Sequence, residues 1–274
     1  MKPYDKPLCW PLYWVRLGLL VLCLAAGKFT SNALAQQNYW EETYRVGIDS
    51  AEYPPFSMPS RNGEWIGWEI EFMDAVCEIA KFNCVITPVA WTDIIPALLN
   101  DEIDFIMNSM SITDERRKKV KFSIAYYDTP DLIVAQKYSS ISVDVKGLAN
   151  KVLGVQEKTI HHQYASQYFR RTLKELKLYQ NIEKMYDDLA KGRVDAIFAD
   201  AVALNVFLNM DAGKCCEAKG SVAHDPAILG RGVGAAVRPV DRELLQKLNI
   251  AIREVIENGT RAKITRKYFD IPIY

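Results

Sequence analysis

The chain reads as an α/β protein, mainly parallel, built as two similar lobes that face a shared cleft. Three observations predict this. Short apolar strands alternate with helical patterns along most of the chain, and such repeats bind ligands at the carboxyl ends of their strands. A unit also recurs. Leu98-Leu-Asn-Asp-Glu-Ile-Asp104 before Phe105 to Ser109 is mirrored by Leu189-Ala-Lys-Gly-Arg-Val-Asp195 before Ala196 to Asp200. Each copy is a helix end, a turn, an acid, and then a strand that finishes in polar groups. Third, Ile103 to Arg117 packs a buried strand, a run of small hydroxyls, a helix start and a fixed cation into fifteen residues.

Residues 1–35 are read as lying outside the fold. Lys2, Lys6 and Arg16 make a basic start, Leu17 to Gly27 is an apolar run, and Ala33-Leu-Ala35 supplies a small-x-small cleavage signal. This is the pattern of a secretory signal peptide cleaved after Ala35. The apolar run is well short of the roughly 20 residues needed to span a bilayer as a helix. A lipoprotein modified at Cys23 and an uncleaved anchor are the alternatives.

The whole chain balances 34 basic against 34 acidic residues. Without Lys2, Lys6, Arg16, Lys28 and Asp5, 30 basic and 33 acidic residues remain, a net charge near −3. That balance offers no electrostatic case for nucleic acid or an anionic membrane surface. Four of the six cysteines follow the cleavage site: Cys77, Cys84, Cys215 and Cys216. In an oxidising compartment an even count favours disulfides. A Cys77–Cys84 bridge would pin a helix end to a strand start, worth about 2–3 kcal/mol in the chain-entropy model. The adjacent pair Cys215-Cys216 leaves a vicinal disulfide, reduced thiols and intermolecular pairing all open. His161, His162 and His224 lack zinc-site spacing, so no metal or other cofactor is expected.

In order, the elements are a strand at 44–48, a Pro-rich loop through Tyr53-Pro-Pro-Phe56, and a short extended segment at 65–68. A helix follows at 69–80, then a strand at 85–89, a helix at 92–99 and a strand at 104–107. Thr113 caps a helix starting at Asp114, with acids in its first turn to complement the dipole. Strands at 132–135 and 151–155, a helix at 162–175 and a helix at 181–189 come next. A strand at 196–199, a helix at 201–208, a strand at 232–237 and a helix at 241–257 complete the chain.

Arg116 projects from the first turn of its helix, beside free backbone N–H groups and the Ser109 and Ser111 hydroxyls. That arrangement suits a carboxylate, because guanidinium binds one bidentately and helix N-termini hold anions. A solvated basic turn is the alternative, since Arg117, Lys118 and Lys119 follow. Asp200 ends the second repeat as the counter-charge for an ammonium, or as a helix N-cap, and both roles can hold together.

The chain resembles the periplasmic solute-binding proteins of the polar amino acid ABC importer class, the family 3 group of lysine/arginine/ornithine-, histidine- and glutamine-binding proteins. The resemblance runs through Gly47-Ile-Asp-Ser-Ala-Glu-Tyr-Pro-Pro-Phe56, Gly67-Trp-Glu-Ile-Glu71, Trp91-Thr-Asp-Ile-Ile-Pro-Ala-Leu98 and Ser109-Met-Ser-Ile-Thr-Asp-Glu-Arg116. It continues in Gly154-Val-Gln-Glu-Lys-Thr159, Gly192-Arg-Val-Asp-Ala196 with Asp200, and Lys267-Tyr-Phe-Asp270. It implies a two-lobed type II periplasmic binding protein fold with two hinge strands and the ligand in the interlobe cleft. Lobe 1 would be 36–128 and 229–274, and lobe 2 would be 129–228, with hinges near Asp128-Thr-Pro130 and Pro226 to Gly230.

By the same resemblance, Arg116, Ser111 and the Thr159 region hold an α-carboxylate, and Asp200 with Ser109 and Ser111 holds an α-ammonium. Tyr53 and Trp91 sandwich the side chain, and Asp49 lines its far end. The Cys77–Cys84 pair matches the family's short disulfide. The resemblance further implies a monomeric periplasmic receptor that closes on an amino acid and delivers it to an inner-membrane ABC permease. Two aromatics and the acids Asp49 and Glu52 favour a basic amino acid, with a polar neutral ligand as the alternative. The chain departs from the family at Lys158, where glycine is common. It departs again at Glu69 and Glu71, which stand for aspartates and are read as packing or surface groups. His161 is read as an exposed histidine at a helix start. An exported cyclohexadienyl dehydratase-like enzyme shares the fold and would need a cleft acid of raised pKa, for which Asp200 is the candidate. A sensor-type ligand domain is a third reading.

Overall fold

The computed structural model describes residues 42–269 and 273; the signal-peptide reading and Asp270 lie outside them. Two five-stranded sheets organise the chain. The first is built from β1 (Glu42–Asp49), β4 (Phe82–Val89), β5 (Phe105–Ile106), β6 (Lys121–Phe122) and β12 (Ala236–Val237), in the order β4-β1-β5-β12-β6. The second holds β7 (Asp131–Gln136), β8 (Val152–Gln156), β9 (Glu175–Tyr179), β10 (Ala196–Asp200) and β11 (Cys216–Gly220), in the order β11-β7-β10-β8-β9. A small hairpin of β2 (Met58–Pro59) and β3 (Trp65–Ile66) stands apart. The chain passes between the sheets twice, after β6 and between β11 and β12.

Pairing is parallel wherever a helix makes the crossover: β1 with β4 and β5, and β8 with β9 and β10. It is antiparallel where the chain has just changed sheets, at β12 against β5 and β6, and at β7 against β10 and β11. Helices cover the sheet faces: α1 (Trp68–Ala80), α2 (Ile94–Leu99), α3 (Asp114–Arg117), α7 (Arg242–Glu257) and α8 (Thr260–Tyr268) on the first; α4 (Ile160–Tyr168), α5 (Ile182–Ala190) and α6 (Ala201–Asn209) on the second.

The sequence repeat has a structural counterpart. Asp104 precedes β5, takes the Arg45 amide of β1 on its carboxylate at 2.7 Å, and donates its own amide to the Arg45 carbonyl at 2.8 Å. Asp195 precedes β10 and does the same with Val152 of β8, at 2.7 and 2.9 Å. In each lobe the acid fixes the register of a parallel strand pair, so the polar strand ends arrive at the same edge of the sheet.

Several elements differ from expectation: the short strands β2 and β6 were not foreseen, and the strand expected at 232–237 is confined to Ala236–Val237. The helix expected at 162–175 stops at Tyr168, and Glu175–Tyr179 is an edge strand of β8. Its charged residues suit a helix in isolation, but the alternation of Leu176 and Leu178 with Lys177 fits a ladder. Strand β11 and helix α8 were not expected: the first is rich in Lys, Glu and Gly, and the second has a largely polar composition. Cys77 and Cys84 are disulfide-bonded, tying the end of α1 to β4. Cys215 and Cys216 are also bonded to each other, at the join of a 3₁₀ turn (Asp211–Cys215) and β11.

Candidate functional site

The carboxyl ends of β1, β5, β8 and β10 converge on a cavity that is partly open to solvent. It is lined by seven of the eight residues expected for the ligand: Asp49, Tyr53, Trp91, Ser109, Ser111, Arg116 and Thr159. Asn108, Gln156, Ile160, His161, Ile182, Phe198 and Ala199 complete the lining. Asp200 does not line it, and stands one residue beyond Ala199.

Arg116 owes its position to a one-turn helix. Thr113 caps α3 by accepting the Arg116 amide at 3.2 Å, as its sequence predicts. The guanidinium then turns inward, only 9% of the residue remaining exposed. Nη1 donates to the Ser111 carbonyl at 2.9 Å, and Nη2 reaches across the cleft to the Lys158 carbonyl at 3.4 Å. Its charge lies 5.2 Å from the Trp91 ring centre, a cation–π distance. Among the described residues no carboxylate forms an ion pair with it, and burial pushes its pKa down to about 10. A desolvated cation facing a cavity is a site for an anion.

Thr159 caps α4, accepting the His162 amide at 3.1 Å while donating to the Gln156 carbonyl at 2.7 Å. Lys158, before it, adopts φ +58°, the left-handed conformation for which glycine is the ordinary choice. Its ammonium donates to the Thr92 carbonyl at 2.8 Å, a second hydrogen bond between the lobes. Tyr53 packs against apolar clusters of both lobes and stacks on Phe56.

Asp49 is buried, and one carboxylate oxygen accepts the amides of Ala51 and Trp91 at 3.1 and 3.2 Å. It therefore fixes the entry to the Trp91 turn as well as lining the cavity. Burial pushes its carboxyl up. Glu52 is exposed and does not line the cavity. Asp200 is the N-cap of α6, its Oδ1 taking the Val202 and Ala203 amides at 2.7 and 3.2 Å and its Oδ2 the Thr129 hydroxyl. Burial raises its pKa to about 6.

Two readings of the sequence need correction. Glu69 is neither surface nor simple packing: it is 1% exposed and accepts the Ser109 amide at 2.9 Å, the Ser109 hydroxyl at 2.7 Å and the Tyr126 hydroxyl. It holds Ser109, which sits at φ +50°, in place at the strand end. His161 is not an exposed helix-start residue. It is 8% exposed, bonded through Nε2 to Asp131 at 2.7 Å, and edge-on to Phe198. An acid inside the apolar stripe of α1 was the available signal for Glu69. Nothing local signals His161, because its partner lies thirty residues away. Among the described residues no His, Cys, Asp and Glu cluster fit for a metal occurs.

The family model of the bacterial extracellular solute-binding proteins, family 3, matches residues 44–271. An L-arginine-binding protein of Pseudomonas aeruginosa is 37% identical over 235 residues, covering 85% of this chain and 90% of that protein. The lysine/arginine/ornithine-binding periplasmic protein of Escherichia coli K12 is 33% identical, covering 95% of this chain and 99% of that protein. A solved structure of an ancestral arginine-binding protein bound to arginine superposes with a TM-score of 0.76 at 31% identity, covering 83% of this chain and 98% of that one. The architecture is thus the two-lobed type II binding-protein fold, and the two segments linking the lobes, 123–130 and 221–235, hold only isolated bridges rather than the expected hinge strands. The chain belongs to the bacterial extracellular solute-binding proteins, family 3.

Proposed function

We propose that the chain is the extracytoplasmic receptor of an ABC importer and binds a basic amino acid, arginine foremost. The observation that carries this reading is Arg116, a buried guanidinium paired with no described carboxylate and lining the cavity at the strand ends. The ligand α-carboxylate pairs with Arg116, beside Ser111 and the capped N-terminus of α4 at Thr159. The α-ammonium goes to Asp200, with Ser109 and Ser111. Burial disfavours the Asp200 charge, and an incoming cation restores it. Tyr53 and Trp91 flank the aliphatic stem.

Asp49, buried in the cavity wall, is the acid for the far end of the side chain, while Glu52 and Glu183 are exposed and do not line the cavity. Relatives named for arginine and for lysine/arginine/ornithine support the same ligand class. We further propose lobe boundaries of 36–128 with 229–274, and 129–228, a signal peptide cleaved after Ala35, a periplasmic location, and action as a monomer on one permease.

Closure depends on the ligand because its two charged ends contact groups from different lobes, and only the closed state completes both sets. The chain is read as a receptor and not an enzyme: both Asp200 oxygens already accept hydrogen bonds, which leaves it poorly placed to give a proton to a leaving hydroxyl. The test is a thermal-shift screen of residues 36–274 against amino acids and prephenate-like acids. A rise with arginine, lysine or ornithine is expected, and turnover of a cyclic carboxylate would replace this reading with the dehydratase one.

A further inference from the structure

The second sheet brings two carboxylates face to face. Asp131 opens β7, Asp200 closes β10, and the two are directly opposed in the antiparallel ladder. Side chains at opposed positions project from the same face, and like charges there repel. Each acid is separately compensated. Asp200 takes two α6 amides and the Thr129 hydroxyl, while Asp131 takes Nε2 of His161 at 2.7 Å. His161 reaches that carboxylate from the first turn of α4, packs its ring edge-on against Phe198, and is among the residues lining the cavity.

Donation from Nε2 to Asp131 leaves the neutral imidazole with its lone pair on Nδ1. Among the described residues no protein group hydrogen-bonds to that nitrogen, although only 8% of the residue is exposed. His161 lines the cavity and stands close enough to Asp200 for their charges to interact, so a residue of the cavity wall carries a hydrogen-bond acceptor with no protein partner.

We infer that His161, oriented by Asp131, is a ligand contact that determines specificity, its Nδ1 accepting a hydrogen bond from the ligand's α-ammonium. The inference rests on the amino acid receptor proposed above and deepens it. An ammonium has three N–H donors, and Asp200, the serine hydroxyls and His161 then supply one acceptor group for each. Asp131 does not touch the ligand. It is a positioning residue that selects the tautomer, as the partner of one imidazole nitrogen generally does. The arrangement favours ligands with an unsubstituted primary amine at this position over N-alkylated or deaminated analogues.

Titration calorimetry at pH 8, where Asp200 is ionised, tests this with L-arginine and 5-guanidinopentanoic acid, the same molecule without its amine. Loss of one hydrogen bond to a charged group corresponds to roughly a 10- to 100-fold fall in affinity. His161→Phe should show that fall for arginine and little change for the deaminated analogue. His161→Gln, which retains a carbonyl acceptor, should recover part of it. Asp131→Asn presents an amide N–H to Nε2 and so favours the tautomer with the proton on Nδ1, aimed at the ammonium. It should lose at least as much for arginine alone, and the double variant Asp131→Asn/His161→Phe no more than the larger single loss. An equal loss for both compounds would make His161 a packing residue, and no loss for arginine would remove the contact; either overturns the inference. Wild-type protein that binds no amino acid would overturn the receptor reading itself.

Discussion

Arg116→Met separates binding from folding more sharply than any other substitution in the cleft. Lowering the guanidinium pKa from 12.5 to about 10 by burial corresponds to a desolvation cost of order 3 kcal/mol. The 2.9 Å bond to the Ser111 carbonyl offsets half or more of it, at about 1.5–3 kcal/mol for a hydrogen bond to a charged group. The stack on Trp91 adds about 0.5–2 kcal/mol. Methionine removes both the cost and the compensation while keeping a flexible apolar side chain against the indole. Urea unfolding of ligand-free Arg116→Met should therefore fall within about 1 kcal/mol of wild type. Arginine binding should weaken by about 2–5 kcal/mol, roughly 30- to 4,000-fold, because the ligand carboxylate would be buried without its cation. The assay is paired: denaturant unfolding of protein stripped of ligand, and calorimetric titration with L-arginine. Affinity within about threefold of wild type, or a loss of more than about 3 kcal/mol without ligand, would refute the role given to Arg116.

Further outcomes follow from the same structure. Asp200 has a folded pKa of about 6 against 3.8 for an ordinary aspartate, so between those values the folded state binds the extra proton and stability falls as pH rises, by about 3 kcal/mol in all. An ammonium favours the ionised form, so arginine affinity should climb as pH rises through 6 and then level off, and Asp200→Asn should abolish both effects in calorimetry and unfolding measured from pH 4 to 8. Glu69→Gln turns an amide N–H toward groups that all donate, and should lower Tm by roughly 2–10 °C, about 1–3 kcal/mol, while weakening binding by loosening Ser109. Replacing Cys77 and Cys84 together by alanine should cost about 2–3 kcal/mol in unfolding with affinity unchanged, since the bridge lies away from the cleft. Lys158→Gly keeps the left-handed turn and removes the ammonium bond to Thr92, so dissociation of arginine should quicken by a few-fold with Tm nearly unchanged, as read by stopped-flow fluorescence.

What the sequence made legible was local. Thr113 and Arg116 are three residues apart, and the cap that joins them is a relation of spacing. The acids Asp104 and Asp195 were visible as a repeated phrase, and their shared task in the ladder explains why the phrase recurs. What stayed hidden depended on pairing at a distance. Glu175–Tyr179 becomes a strand because β8 offers it a partner, against the helical tendency of its lysines and glutamate. Glu69 and Ser109 are forty residues apart, and His161 and Asp131 thirty, so burial and partnership come to these groups only through the fold. Asn108 and Gln156 line the cavity through the same convergence of strand ends, and nothing in their immediate neighbours sets them apart.

The most direct measurement is calorimetric titration of residues 36–274, purified by unfolding and refolding to remove bound solute, with L-arginine, L-lysine, L-ornithine and L-glutamine. One site per chain is expected, with basic amino acids bound more tightly than glutamine and a stabilisation of about 2.7 kcal/mol at a hundredfold the dissociation constant. Heat from none of the four, by a protein that unfolds cooperatively and is therefore intact, would contradict the claim that this cleft receives an amino acid.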